Sequence, residues 1–530
     1  MNKMSFDFLD FGFPKSGTDS KSINGKPYIT VSSKGRSNGL SNKINDGADF
    51  GVDTTLGATS PNQTGAPYTQ TMGIQEAHEY AGTLGLPITI NGITTISTSI
   101  NIKYNQYIGG ITNQFYSSVN DGTSAYTEYS QIRKTGNFPT FILVSNSSLT
   151  VENLIVLGTN TNTNTSDWFF DGTNSGVTSS GLLILNNVKM YGFYDGIYVN
   201  GLISLYLFNS WDVDFNNLDI YYNNTATSTS GIIFTENYHA LSSSTTTTAT
   251  ITIKNIEYWY SLMSRWYTLG GGNANISTPL GNNGTQYYVL EQNAFYSNTP
   301  ALAPLQLNIT NGNAFFNANN ISLLNASNTI NYGIEIDNLS GFGAIFNNVH
   351  TRSINTAFYI NGEANMVIIS NITAGNQILL ASSLASFYRC VISNVTIVSS
   401  STVYALDVSE VTGNLDLLFT DSAITSSKGI NYSLGSAFRI KNITGFQPLP
   451  TIPTLPASGT AQQNTNPYAT NVYLYGGTVT EIQITKNGTA YTVFSNATGL
   501  ALSGQVYKLN PTDSITITYT TAPTWEWLSD

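Results

Sequence analysis

NNVHTRSINTAFYINGEANMVIISNITAGNQILLASSLASFYRCVISNVTI, residues 347–397, decides the fold. Three Asn-aliphatic pairs, Asn348-Val349, Asn371-Ile372 and Asn394-Val395, recur at a step of 23 residues. Each pair sits in a short strand-like run. A fixed period in the low twenties marks a repeat architecture in which one unit cannot bury its own apolar side chains and must stack on the next. Three short strands joined by tight turns fill such a period, which is one coil of a parallel β-helix. Asn at one turn has a physical reason: it tolerates the left-handed backbone of a sharp corner, and its amide can bond to the amide one coil away.

The pair recurs outward from this stretch, as Asn153-Leu154, Asn187-Val188, Asn217-Leu218, Asn255-Ile256, Asn320-Ile321 and Asn442-Ile443. A second element lies between, as Gly196-Ile197, Gly231-Ile232, Gly333-Ile334 and Ala357-Phe358. The gap from Asn255 to Asn320 reads as coils interrupted by a long insertion, RWYTLGGGNANISTPLGNNGTQYY at 265–288. Before the repeats, Ile74, Ala77, His78 and Ala81 fall on one face at helical spacing, so a lone helix is expected to cover the open end of the solenoid.

The expected fold is therefore all-β: a right-handed parallel β-helix with an N-terminal capping helix and a small C-terminal β-sandwich-like domain. Four segments follow: an arm at 1–45 that opens with Phe6, Phe8, Phe11 and Phe13, the helix and coils at 46–445, a Pro-rich linker at 446–465, and a β-domain at 466–530. FQPLPTIPTLP at 446–456 cannot continue a coil, because Pro supplies no ladder donor. Asn487-Gly488 between two strand runs is a hairpin signal.

Composition agrees. Only 10% of the 530 residues are charged, against about 25% in an ordinary soluble domain. Hydrophobic residues are 41% and aromatic residues 12%, which excludes a disordered chain. The net charge of −11 argues against nucleic acid and anionic lipid as partners. So neutral a surface is expected to change little on acidification. The single cysteine, Cys390, excludes a disulfide framework and a Cys-rich metal site. No metal and no cofactor are expected. There is no long apolar run for a membrane span, and Asp7 and Asp10 break the N-terminal apolar stretch, so no signal peptide is expected.

INDGADFGVDTT at 44–55, GIQEAHEYA at 73–81, PITINGI at 87–93 and INIKYNQYIGG at 100–110 resemble the opening of pectin-lyase-like β-helix tail-spike and surface-fibre proteins of phages and archaeal viruses. Asp49-Phe50-Gly51 and Ile74-Gln75 stand in the matching places. The tail from Asn464 to Leu528 resembles a small module at the C-termini of viral surface proteins, with Thr512 where Gly is more usual. The resemblance implies a virion-surface spike for host attachment. Its expected partners are two further copies of itself in a trimer, other virion proteins through the arm, and a host surface glycan or glycoprotein. Two alternatives stay open: a polysaccharide-depolymerising spike of the glycoside hydrolase type, and a purely structural fibre subunit.

There is no P-loop, HExxH or GxSxG motif. Glycoside hydrolysis needs two carboxylates across the scissile bond. Asp195 in FYDGIY, Asp212 and Asp214 in SWDVDF, and Glu236 in FTENYH are the candidates, weighed against a role in turns. Glycan binding needs aromatic faces with amides and hydroxyls. EYWYSLMSRWY at 257–267 supplies Tyr258, Trp259, Tyr260, Trp266 and Tyr267, weighed against core packing, with Tyr258, Trp259, Trp266 and Tyr267 as the candidates.

Overall fold

The computed structural model describes residues 28–32, 50–51, 71–110, 130–159, 165–173, 180–200, 202–223, 231–242, 249–254, 256–268, 274–278, 285–297, 303–310, 313–325, 332–341, 343–352, 354–398, 403–425, 428–432, 437–445, 450 and 452–529. The Phe cluster of the arm, Asp49 and Asn255 lie outside them. The chain divides into two compact units, Met1–Pro304 and Leu305–Asp530.

In the first unit, helix α1 spans Ile74–Leu84 and buries Ile74, Ala77, His78 and Ala81, the face expected from spacing. Gly85 ends it in the left-handed conformation, φ 65°, its N–H bonding to Ala81 O. The helix covers a strand edge. Asn101 N donates to Gln75 Oε1 at 2.7 Å, and Gln75 Nε2 donates back to Asn101 O at 3.2 Å. Lys103 N donates to His78 Nε2 at 3.0 Å. Backbone groups of a terminal strand are thus paired with side chains rather than left open to another chain.

Every described pairing between successive coils is parallel. Asp195–Asn200 pairs with Leu218–Asn223, which pairs with Ala249–Lys254. Ile203–Phe208 pairs with Ile232–Glu236, then Tyr258–Leu262, then Gln286–Glu291. Trp211–Val213 pairs with His239–Ser242, then Arg265–Thr268, then Ala294–Ser297. Each coil gives one strand to each of three faces, so the unit is a parallel β-solenoid. Inward positions stack like on like: Ile197, Ile220 and Ile251 on one face, and Leu205, Ile233, Trp259 and Tyr288 on the next, all fully buried.

One corner repeats. Asn153, Asn187, Asn209, Asn237, Met263 and Gln292 follow one another in register, and all have φ between 47° and 55°. Asn187 Nδ2 donates to Asn153 Oδ1 at 2.6 Å, and Asn237 Nδ2 to Asn209 Oδ1 at 3.0 Å. Two expectations need correction. Asn217 is at a different corner, where its amide donates to Asp195 Oδ1 at 2.7 Å. The stretch 265–288 is no insertion: it contains strands Arg265–Thr268 and Ala274–Thr278 of the regular coils, with Met263 and Gln292 at the corner.

The second unit repeats the scheme. Asn320, Asn348, Asn371, Asn394, Asp421 and Asn442 share the corner with φ between 49° and 56°. Asn348 Nδ2 donates to Asn320 Oδ1 at 2.5 Å, Asn394 Nδ2 donates to Asn371 Oδ1, and Asn442 Nδ2 donates to Asp421 Oδ1 at 2.8 Å. Asn371 turns aside and donates to Asn347 Oδ1.

A five-stranded antiparallel sheet follows, from Ala461–Gln463, Thr470–Lys486, Thr489–Leu509, Ser514–Thr521 and Thr524–Ser529. Its core holds Val472, Ile482, Ile517 and Trp527. Asn487 and Gly488, φ 49° and 79°, make the expected hairpin turn. The described part of the Pro-rich stretch lies on this sheet: Trp525 Nε1 donates to Pro453 O at 3.0 Å and Tyr519 Oη to Pro456 O at 2.8 Å. Thr512 has φ 74°, so the departure from Gly falls where a β-branched side chain is strained.

Two stability predictions follow from backbone geometry. Asn371→Val, which removes the ladder amide and puts a β-branched residue at φ 56°, lowers stability by about 2 kcal/mol. Thr512→Gly raises it by about 0.5–1 kcal/mol, the relief of left-handed strain exceeding the entropy cost of Gly. Denaturant titration of the purified variants reads both.

Candidate functional site

Face assignment sorts the candidate residues. Counting back from the Asn corner, positions −1, −3 and −5 point outward and −2 and −4 inward, the alternation of a strand. Trp259 and Trp266 point inward and are 0% and 1% exposed. This corrects their reading as sugar contacts: their rings meet edge to face, centroids 6.0 Å apart, as core. Tyr258 is 39% exposed and stacks on Tyr287, centroids 5.2 Å apart. Tyr267 is on the next face, stacked on Tyr296 at 4.2 Å.

Asp195, Asp212 and Asp214 lie near one another, the charges of Asp214 and Asp195 bearing on Asp212, while Glu236 is on a separate strand. Asp195 is buried and accepts from Asn217 Nδ2 and from Leu218 N; burial pushes its carboxyl up to about 6. Asp214 is at a corner, φ 57°, its backbone N–H bonding to Leu241 O. Glu236 points outward. Asp212 is interior and fully buried against Asp219, which accepts from Tyr238 Oη at 2.6 Å. Among the described residues no donor reaches either oxygen of Asp212. The pair is therefore stable only with a proton held between the two carboxyls, and burial raises Asp212 well above the usual carboxylate range. Gly196 makes room for it, since a Cβ there would lie 2.4 Å from Asp212 Oδ2. An enclosed carboxyl cannot reach a substrate, which corrects the catalytic candidacy of Asp212.

The outward positions build a surface instead. Tyr206, Phe234 and Tyr260 occupy position −3 of consecutive coils and stack, with centroids 6.2 and 5.1 Å apart. Phe208 packs on Phe234 at 5.5 Å. At one end this stack opens into a groove of about 1270 Å³ lined by Tyr104, Asn105, Tyr107, Glu152, Asn186, Tyr206, Phe208 and Glu236. Tyr107 Oη and Asn186 Nδ2 both donate to Glu152, at 2.5 and 3.0 Å. Glu152 and Glu236 are three coils apart, about 14 Å at a strand spacing near 4.8 Å. That exceeds the separation used in two-carboxylate hydrolysis. Burial, with the charges of Glu291 and Glu236, raises the Tyr260 hydroxyl, so it remains a donor. Sequence reading named Tyr260 but missed Tyr206, Phe208, Phe234 and Tyr287, although their constant offset from the corner was the signal.

A smaller polar pocket lies in the second unit, about 470 Å³, lined by Glu363, Asn365, Met366, Tyr388, Arg389, Asn414 and Asp416. Met366 and Arg389 hold φ of 50° and 55°, strained for such side chains. Arg389 N donates to Asp416 Oδ2 at 3.1 Å. Among the described residues no cluster of His, Cys, Asp and Glu has metal-ligand spacing, and no helix is long and apolar enough to cross a membrane.

The sequence matches no protein-family profile and no curated protein. Solved structures similar to it include three phage proteins. An N-terminal fragment of bacteriophage phi29 gene product 12 is 12% identical, with 70% of this chain and 69% of that chain covered and a TM-score of 0.37. Tailspike protein 3 of bacteriophage CBA120 is 13% identical, with 79% and 65% covered and a TM-score of 0.37. A double mutant of the tailspike protein of E. coli bacteriophage HK620 is 10% identical, with 86% and 88% covered and a TM-score of 0.39. No residue role is carried across at these values.

The buried carboxyl pair is expected to make stability depend on pH, whatever the weakly charged surface does on acidification. Unfolded, both carboxyls ionise near pH 4; folded, the pair keeps its proton to higher pH. The stability it allows is complete below about pH 4 and is lost as pH rises through the folded range. His78 and His239, both lowered by burial, act in the opposite direction below about pH 6.5, so a variant isolates the pair. Asp212→Asn should gain on the wild type by up to about 1.4 kcal/mol per pH unit as pH rises above 4. Thermal melts of both proteins at pH 4.5, 6 and 7.5 measure it.

Proposed function

We propose that this chain is a subunit of a virion-surface spike that attaches to a host glycan, and that the sugar lies along the outward stack of Tyr206, Phe234 and Tyr260 and in the adjoining groove. The observation that carries the proposal is this aromatic row on the outside of a solenoid that already has a full aromatic core inside. Half-buried rings in register cost solubility and add nothing to the interior, so a ligand is their natural partner. Aromatic faces pack on sugar rings, while Asn105, Asn186 and the Tyr107 hydroxyl offer sugar hydroxyls their bonds. The spike role itself rests on the sequence resemblance and on a weakly charged chain that is rich in amides and hydroxyls.

The coils are right-handed in this reading, as parallel crossovers nearly always are. Residues 466–530 act as a β-domain that also takes in strand Ala461–Gln463, with the Pro-rich stretch before that strand leading into it and the 1–45 arm docking on other virion proteins. Assembly is threefold. Strand Thr489–Leu509 supports association: it forms an edge of its sheet, and Tyr491, Val493, Leu500 and Val506 on it are 45–54% exposed. Light scattering at micromolar concentration should give three times 57.3 kDa; a stable monomer would count against it.

A second reading, polysaccharide hydrolysis, is favoured by the smaller pocket. Glu363 and Asp416 both line it, two coils apart and two residues out of register, about 12 Å by strand geometry, so hydrolysis there would need the two side chains to lean toward each other to reach the separation of inverting hydrolases. Incubation with host envelope polysaccharide separates the readings. Attachment alone gives retention on the polymer with no oligosaccharide released; hydrolysis gives release that Glu363→Gln and Asp416→Asn each abolish. For attachment, Phe234→Ala with Tyr260→Ala should weaken retention at least tenfold, about 1.4 kcal/mol or more, with an unchanged melting curve.

A further inference from the structure

The face beyond the Asn corner carries a row of a different character. Lys189, Trp211, His239, Arg265 and Ala294 occupy one outward position on five successive coils. Beside them run Tyr191, Val213, Leu241, Tyr267 and Tyr296, two residues on. Trp211 is 41% exposed and lies flat on His239, centroids 4.4 Å apart and planes within 2°. Tyr267 and Tyr296 form the second flat pair.

The cations differ in availability. Lys189 is buried, and burial lowers its ammonium to about 8, the charge of Asp214 offsetting only part of that effect. His239 bonds to Asn237 Oδ1 at 3.1 Å, and burial together with the charge of Arg265 keeps it neutral near pH 7. Arg265 is exposed and makes no ion pair among the described residues. The next residue in its row is Ala294, whose small side chain leaves the guanidinium open on that side. A chain with 20 Lys and Arg against 31 Asp and Glu thus sets one unpaired guanidinium between two flat aromatic pairs.

We infer that this face binds an acidic glycan, with Trp211 and Tyr267 under the sugar rings and Arg265 bonded to the carboxylate or sulfate of one ring. The planar fork of Arg suits such groups in a bidentate mode. A single available cation suits one anionic group per site. Nucleic acid would need a stripe of cations to displace counterions, and the row has none. The inference takes from the proposed function only that the ligand is a glycan, and it uses a different face.

The test is titration of the full chain, at low salt, with hexagalacturonate and with its fully methyl-esterified form, which keeps the same sugar rings and replaces each carboxylate by a neutral methyl ester. The acid should bind at least tenfold more tightly than the ester. Arg265→Gln should reduce the acid to the level of the ester, Arg265→Lys should retain part of the preference, and Trp211→Ala should weaken both. Leu384→Ala, at an exposed side chain of the second unit, should leave both unchanged, and failure of the groove reading would be seen separately in the retention assay. A heparin-derived hexasaccharide tests sulfate in place of carboxylate. Equal binding of acid and ester, indifference of the acid to Arg265→Gln, or no binding of either the uronate or the sulfated oligomer would overturn the inference.

Discussion

A left-handed corner residue is the constraint on which the rest depends. Once per coil the chain must turn between two faces with φ near 50°, a conformation that costs an ordinary residue about 1–2 kcal/mol. Asn meets that cost best, because its short amide fits the backbone there and reaches the amide of the next coil. With the corner set, period-two alternation determines which side chain faces the core and which faces solvent. A slip of one residue would put Trp259 outside and Tyr258 inside, so the corner and the large interior rings enforce the same register.

That dependence explains what could be read from sequence. The coils, the helix and the hairpin turn at Asn487-Gly488 were legible because each has a local chemical signature: an Asn-aliphatic step, an apolar stripe, a turn dipeptide. Asn348, Asn371 and Asn394 are in register as their even spacing required. Where the corner residue is Met263 or Gln292, the signature disappears although the backbone does not change, and regular coils looked like an insertion. Asn217 shows the opposite failure. It carries the signature at another corner, where its amide serves Asp195 instead of a ladder.

The site was harder to read for a related reason. YWYSLMSRWY is rich in aromatics at every position, and composition cannot say which ones face out. Only the offset from Met263 separates Tyr258 and Tyr260 from Trp259, and Met263 was not recognisable as a corner. The buried acid pair was illegible for another reason. Asp212 and Asp219 are in adjacent strands whose mutual approach depends on the cross-section of the coil. Gly196, one coil away, is the residue that leaves them the space.

The same geometry separates stability from recognition. Inward positions are bound to their neighbours on both adjoining coils, so a change at Trp259 or Leu205 disturbs three layers of packing. Outward positions meet only their row. Tyr206, Phe234 and Tyr260 could be exchanged for other residues without moving the backbone that carries them, because the Asn corner and the core already determine where those side chains point. A solenoid therefore offers rows of outward positions spaced by one strand separation, on faces that the corner keeps at an angle to one another. On this chain one face carries rings with amides and carboxylates, and the next carries rings with a single unpaired guanidinium. Two surfaces of different charge are thus built on one register, each held in place by the same corner and core and neither needing a moving part.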